Sequence, residues 1–175
     1  MSNSNGYSGM DHQPTKVDAQ YVTLGIDREL FAIPVEMVLE ILDMREIFRV
    51  PDAPRHMTGL IDVRGRGVPV IDLRVKLGLA PVAATHGTRI MVLEIPIGGK
   101  QLVLGLIADR VYEVAPLDGG RLEAPPDIGT RWRSDYILGV GRRGESFVVV
   151  FDLGRLFASD EQAFLGATEA TGVSA

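Results

Sequence analysis

One stretch of this chain occurs twice, and the second copy narrows what the chain can fold into. Phe31-Ala32-Ile33-Pro34-Val35-Glu36-Met37-Val38-Leu39-Glu40-Ile41 aligns with Leu104-Gly105-Leu106-Ile107-Ala108-Asp109-Arg110-Val111-Tyr112-Glu113-Val114, each residue 73 positions after its counterpart. A second pair, Gly59 to Leu73 and Gly139 to Leu153, is spaced by 80 and ends on Asp-Leu both times. A repeat of this length is one supersecondary unit used twice, because two copies can bury against each other the apolar faces that neither can bury alone. Each copy reads strand, strand, acidic turn, strand, loop, strand, Arg-Gly turn, strand, Asp-Leu. Five strands leave exposed sheet edges, and closure into a small barrel removes them. The repeat therefore predicts a mainly β chain of two similar five-stranded barrels in tandem. Packed side by side, they leave an apolar groove suited to a partner's helices.

Local chemistry agrees with this plan. Tyr21 to Ile26 and Leu30 to Pro34 flank the polar turn Asp27-Arg28-Glu29. Arg89 to Ile95 and Gln101 to Ile107 flank Pro96-Ile97-Gly98-Gly99, whose glycines supply the positive φ of a tight hairpin. The runs are rich in Val and Ile, whose branched Cβ suits a pleated surface. Helical signals are short: one turn at Glu36-Met37-Val38, another from Arg74 to Leu77, and a C-terminal helix starting at Ser159-Asp160-Glu161-Gln162. That helix is expected to reach about Leu165, with Gly166 as its stop. Residues 1–18 are small and polar and predict a disordered tail, residues 167–175 a flexible one, and residues 19–166 the folded domain.

Composition and motifs exclude several kinds of function. Net charge is -5, from 18 Lys+Arg against 23 Asp+Glu, so nothing draws the chain to a phosphate backbone and no nucleic-acid partner is expected. With no cysteine, there is no disulfide and no thiolate nucleophile or ligand. His12, His56 and His86 lack ligand spacing, so no metal is expected. Gly139-Val140-Gly141-Arg142-Arg143-Gly144 has the dinucleotide pattern G-x-G-x-x-G, but the strand Phe147 to Phe151 follows where that motif needs a helix. Gly99-Lys100 is followed by Gln101, not the Ser or Thr of a phosphate-binding loop. No G-x-S-x-G elbow and no paired carboxylates are present, so neither cofactor nor catalytic residue is expected. No apolar run is long enough to cross a bilayer and Met1-Ser2-Asn3-Ser4 begins no leader, which predicts a cytoplasmic protein without membrane insertion. Trp132, between Arg131 and Arg133, reads either as a stacking platform or as a loop anchor.

Pro51-Asp52-Ala53-Pro54 and then Gly59-Leu60-Ile61-Asp62-Val63-Arg64-Gly65-Arg66-Gly67-Val68-Pro69-Val70-Ile71-Asp72-Leu73-Arg74 resemble a loop and strand pair of the CheW family. The family form is approximately P-x-P…G-V-I-N-L-R-G-x-x-x-P-V-x-D-L-R. Gly105-Leu106-Ile107-Ala108-Asp109-Arg110-Val111 is similar to its G-L-x-V-D-x-V, and the likeness runs from about Gln20 to Gly166. Asp62 departs from the family Asn, which bears on a turn hydrogen bond and on the charge beside Arg64. The resemblance implies two intertwined five-stranded SH3-like barrels with short helical turns and a C-terminal helix. It implies an adaptor in chemosensory arrays. There the tip of a methyl-accepting chemoreceptor docks between the barrels, and the regulatory domain of a CheA-type histidine kinase pairs end to end; self-association into rings is left open. By matching position, the family's partner-contact residues fall on Val38, Glu40, Gly59 and Arg64.

The same residues have plainer readings. Arg64 either pairs Glu40 and reaches a partner or is a solvated turn arginine, and Glu40 either contacts or merely orients. Gly59 and Gly65 are backbone positions that need glycine. Ile33, Val35, Val38, Leu104 and Val111 flank the expected groove and are either core or interface. An adaptor for a pili-linked pathway shares every one of these features. A small β-barrel ligand binder is the reading from another class, which a thermal-shift ligand screen separates.

Overall fold

The computed structural model describes residues 19–124 and 134–160. Within them lie β1 (Gln20–Ile26), β2 (Glu29–Pro34), β3 (Val38–Asp43), β4 (Met57–Val63), β5 (Arg66–Asp72), β6 (Arg89–Ile97), β7 (Lys100–Ala108), β8 (Arg110–Pro116), β9 (Ile137–Arg143) and β10 (Ser146–Phe151). Two short helices, α1 (Leu73–Lys76) and α2 (Leu153–Leu156), follow β5 and β10. The strands form two curled five-stranded sheets, ordered β8-β1-β2-β10-β9 and β3-β6-β7-β5-β4.

The sheets are built alike, and by exchange. Each centres on a hairpin, β1-β2 or β6-β7, flanked on one side by a lone antiparallel strand, β8 or β3. On the other side a second hairpin joins in parallel, β10 beside β2 and β5 beside β7. A single bridge then returns the chain after each lone strand to the far hairpin, Phe48 to Leu60 and Glu123 to Val140, which curls each sheet toward a barrel. The sequence repeat is therefore not the barrel. Each copy gives its first hairpin to one barrel and its other three strands to the other. The tandem order expected from the repeat is corrected to the intertwined one implied by the resemblance. The cause is local: a 3-10 turn at Val35–Met37 turns β3 away from its own hairpin, and the bend at Asp109 does the same between β7 and β8.

Strand alternation gives each barrel two apolar faces. Inside the first barrel lie Ala32, Leu117, Val148 and Val150; inside the second lie Ile61, Val68, Val70 and Ile90. Between the barrels a larger cluster joins Leu24, Phe31 and Phe151 of the first to Met91, Leu93 and Leu104 of the second. Phe31 and Phe151 stack there, with centroids 4.8 Å apart. Each such side chain stabilises the fold by roughly 1.5–3 kcal/mol, so the barrels share one core.

The short helices come where the sequence places them or close to it. The turn expected at Glu36-Met37-Val38 spans Val35–Met37, and that expected from Arg74 is α1. Asp72 caps α1 by accepting from the Arg74 N–H at 3.0 Å, and Asp152 caps α2 from Arg155 at 3.2 Å. α2 itself was not expected. At the predicted C-terminal helix, the structure has a 3-10 turn at Ala158–Asp160; its continuation to Leu165, both tails and Trp132 lie outside the described residues.

Candidate partner-binding site

β4 and β5 are joined by the two-residue turn Arg64-Gly65, with φ of 53° and 82°. Both residues are left-handed, as a tight hairpin with the strands' twist requires, and for Arg64 this costs about 1–2 kcal/mol. Asp62 offsets part of that cost: its Oδ1 accepts from the Gly65 N–H at 2.7 Å. The carboxylate thus supplies the acceptor that an Asn would, and adds negative charge two residues from Arg64.

Across the barrel, β3 brings Glu40 opposite Val92 of β6. The Arg64 Nη2 lies 3.3–3.4 Å from both Glu40 carboxylate oxygens. The Arg64 side chain is 80% exposed and that of Glu40 25%. The pair is therefore screened by solvent and contributes little to stability. Instead, Glu40 orients a guanidinium that still has N–H groups to offer. Beneath the pair opens a concavity of about 350 Å³ whose apolar floor comprises Leu39, Val63, Val68, Val92 and Val103, with Arg66 at the rim. Such a surface can take an apolar side chain of another protein and hydrogen-bond an acceptor beside it.

The other sequence candidates divide. Gly59 has φ 151°, and a Cβ there would lie 2.1 Å from the Phe48 carbonyl oxygen. The close approach lets Phe48 and Leu60 exchange two 2.8 Å backbone hydrogen bonds, so Gly59 helps close the second barrel. Ile33 and Leu104 are 0% exposed and belong to the core between the barrels. Val35, Val38 and Val111 are partly buried at the edge of that core, where it reaches the surface. The glycines from Gly139 to Gly144 form the expected hairpin, with Gly144 at φ 59° in its turn.

Two polar clusters, centred on buried Arg74 and buried Asp160, were not anticipated. The Arg74 guanidinium reaches Asp27 at 2.5 Å, Asp109 at 2.7 Å and the Ala80 carbonyl at 2.9 Å. The Asp27 N–H also donates to Asp109. Burial works to lower the Arg74 pKa, but the two carboxylates outweigh it and hold the guanidinium above its ordinary value. Burial pushes the neighbouring Asp72 carboxyl up, with hydrogen bonds from the start of α1 offsetting part of the rise. The second cluster centres on buried Asp160, which accepts from Lys76 Nζ at 2.6 Å and meets His56 Nε2 at 2.7 Å. Sequence reasoning had no signal for either, because the side chains that pair in them are 35 to 104 positions apart. Among the described residues no cluster of His, Asp and Glu is placed to hold a metal ion, and no helix is long and apolar enough to cross a membrane.

A family model described as a CheW-like domain matches residues 20–161. Chemotaxis protein CheW of Treponema pallidum is 29% identical over 142 residues, covering 81% of this chain and 84% of the relative. The protein of that name from Klebsiella aerogenes is 28% identical over 149 residues, covering 85% and 87%. The crystal structure of scaffolding protein TtCheW from Thermoanaerobacter tengcongensis superposes with a TM-score of 0.69 at 29% identity, over 79% of this chain and 92% of that one.

Proposed function

The chain belongs to the CheW-like domain family, and on that premise we propose that it is a chemotaxis adaptor coupling methyl-accepting chemoreceptors to a CheA-type histidine kinase. It acts by holding partners in a defined geometry and not by turnover, in the cytoplasm at receptor arrays. The observation that carries this reading is the exposed Arg64, oriented by Glu40 above an apolar concavity. That arrangement has the parts of a small interface hot spot: an apolar pocket, a charged anchor beside it and a positioned neighbour. The kinase regulatory domain docks at this end of the second barrel. The receptor tip packs where the shared core surfaces at Val35, Val38 and Val111.

The test is a binding titration of the kinase regulatory domain and of receptor cytoplasmic fragments against the protein and its Arg64→Ala variant. The substitution is expected to weaken kinase-domain binding about 10-fold, equivalent to about 1.4 kcal/mol, without moving the unfolding midpoint. Failure of the unaltered protein to bind either partner would overturn the adaptor reading. Binding that ignores Arg64→Ala would remove Arg64 from the contact.

A further inference from the structure

Because the barrels are built from one repeat, each side chain around the concavity has a counterpart in the first barrel. Val38 faces Leu93 as Val111 faces Leu24, which sets Thr23 against Val92. Val63 ends β4 and faces Arg66 across its turn, as Arg143 ends β9 and faces Ser146. Val63 and Val92 line the open concavity of the second barrel. Their counterparts Arg143 and Thr23 touch: Arg143 Nη1 donates to Thr23 Oγ1 at 3.3 Å, and Thr23 is 1% exposed. The other terminal nitrogen of Arg143 pairs with Glu113, the counterpart of Glu40.

Both barrels thus set an arginine against the same glutamate, but from different places. Arg64 reaches over from the turn and leaves the space beneath it open. Arg143 starts one position earlier, on the strand, where Val63 stands in the other copy. Its side chain runs into the space that the smaller valine leaves vacant, and it is 29% exposed against 80% for Arg64.

We infer that Arg143 fills the docking concavity of the first barrel and thereby confines capture of a partner's apolar side chain and flanking acceptor to the second barrel. A chain with two open copies would bind two identical partners. One open copy fixes one partner per chain at this type of site. The inference rests on the adaptor reading for the identity of the partner, though not for the shape of the two sites.

The test uses 1-anilinonaphthalene-8-sulfonate, an apolar body with an anionic acceptor, followed by methyl chemical shifts in the full chain, with the kinase regulatory domain titrated in parallel. In the unaltered protein the probe is expected to shift Leu39, Val63 and Val103 and to leave Leu30 and Val148 in place. Arg143→Val should add shifts at Leu30 and Val148 and raise the number of probe sites from one to two. The reciprocal Val63→Arg should weaken probe binding at the second barrel at least 10-fold, and it decides the matter alone if Arg143→Val does not fold. Equal shifts in both barrels of the unaltered protein, or a second barrel still open in Val63→Arg, would overturn the inference. A probe that follows the pattern while the kinase domain binds no form upholds the asymmetry and sinks the adaptor reading instead.

Discussion

Gly59 and Gly65 show how two glycines in one hairpin differ in what they protect. A methyl on Gly59 meets backbone, the Phe48 carbonyl, which cannot move without opening the bridge that closes the barrel. A methyl on Gly65 meets nothing within 4 Å and suffers only the left-handed φ. Gly59→Ala is therefore expected to cost about 3 kcal/mol or more and Gly65→Ala about 1 kcal/mol, by urea denaturation. Any loss of partner binding in Gly59→Ala should follow the loss of fold. Asp72 carries a pH prediction at the same scale. Its folded pKa is raised by burial, so the fold favours the protonated form, and its ionisation costs stability as pH rises from the ordinary carboxylate value through the raised one. Asp72→Asn keeps an acceptor for the Arg74 N–H and does not ionise. The variant should therefore gain on the parent between pH 3.5 and about pH 7, and equal unfolding midpoint differences at both pH values would contradict this. Arg64 and Glu40 were singled out by the family resemblance, and their pairing was one of two readings of the turn arginine that the sequence left open. The apolar floor was not legible in the sequence, because Val63, Val68, Val92 and Val103 come from four strands whose order only the fold supplies.

Between elements, the consequential contact is the one made by Arg74. It extends from α1 on the second barrel to Asp27 in the β1-β2 turn of the first, and to Asp109 where the chain crosses between them. Replacing it with Ala leaves two carboxylates facing each other without a cation. Breaking a buried pair typically costs about 3–5 kcal/mol, and half-exposed Asp27 brings this case to the low end, about 3 kcal/mol. Adding Asp27→Asn to Arg74→Ala should recover part of the loss, which a double-mutant cycle on unfolding free energies measures. Full additivity of the two substitutions would show that the contact is not shared. Hairpins and the order of strands along the chain were readable from turn residues and β-branched runs, whereas the Asp72 and Asp152 caps were not.

For the whole molecule, the exchange of strands between the two repeats decides how it unfolds. Tandem barrels would each be complete within one half of the chain and would survive its division. Here each barrel takes its central hairpin from one half and three strands from the other, and the largest core lies between them. The repeat revealed that there are two copies and what each contains. It was silent on which copy each strand pairs with, because pairing across the copies and pairing within them satisfy the same local pattern. A protease site inserted between Val82 and Ala83, in the exposed connection between the copies, separates these arrangements directly. After cleavage the two pieces should co-elute as one folded species, since neither has a closed barrel of its own, and they should part only in denaturant. Cavity-forming changes in opposite lumens, Val150→Ala and Val70→Ala, should each lower one common thermal transition and not split it into two, because loss of either lumen removes strands that the other barrel's sheet needs. Two folded fragments after cleavage, or two transitions in either variant, would return the chain to independent barrels.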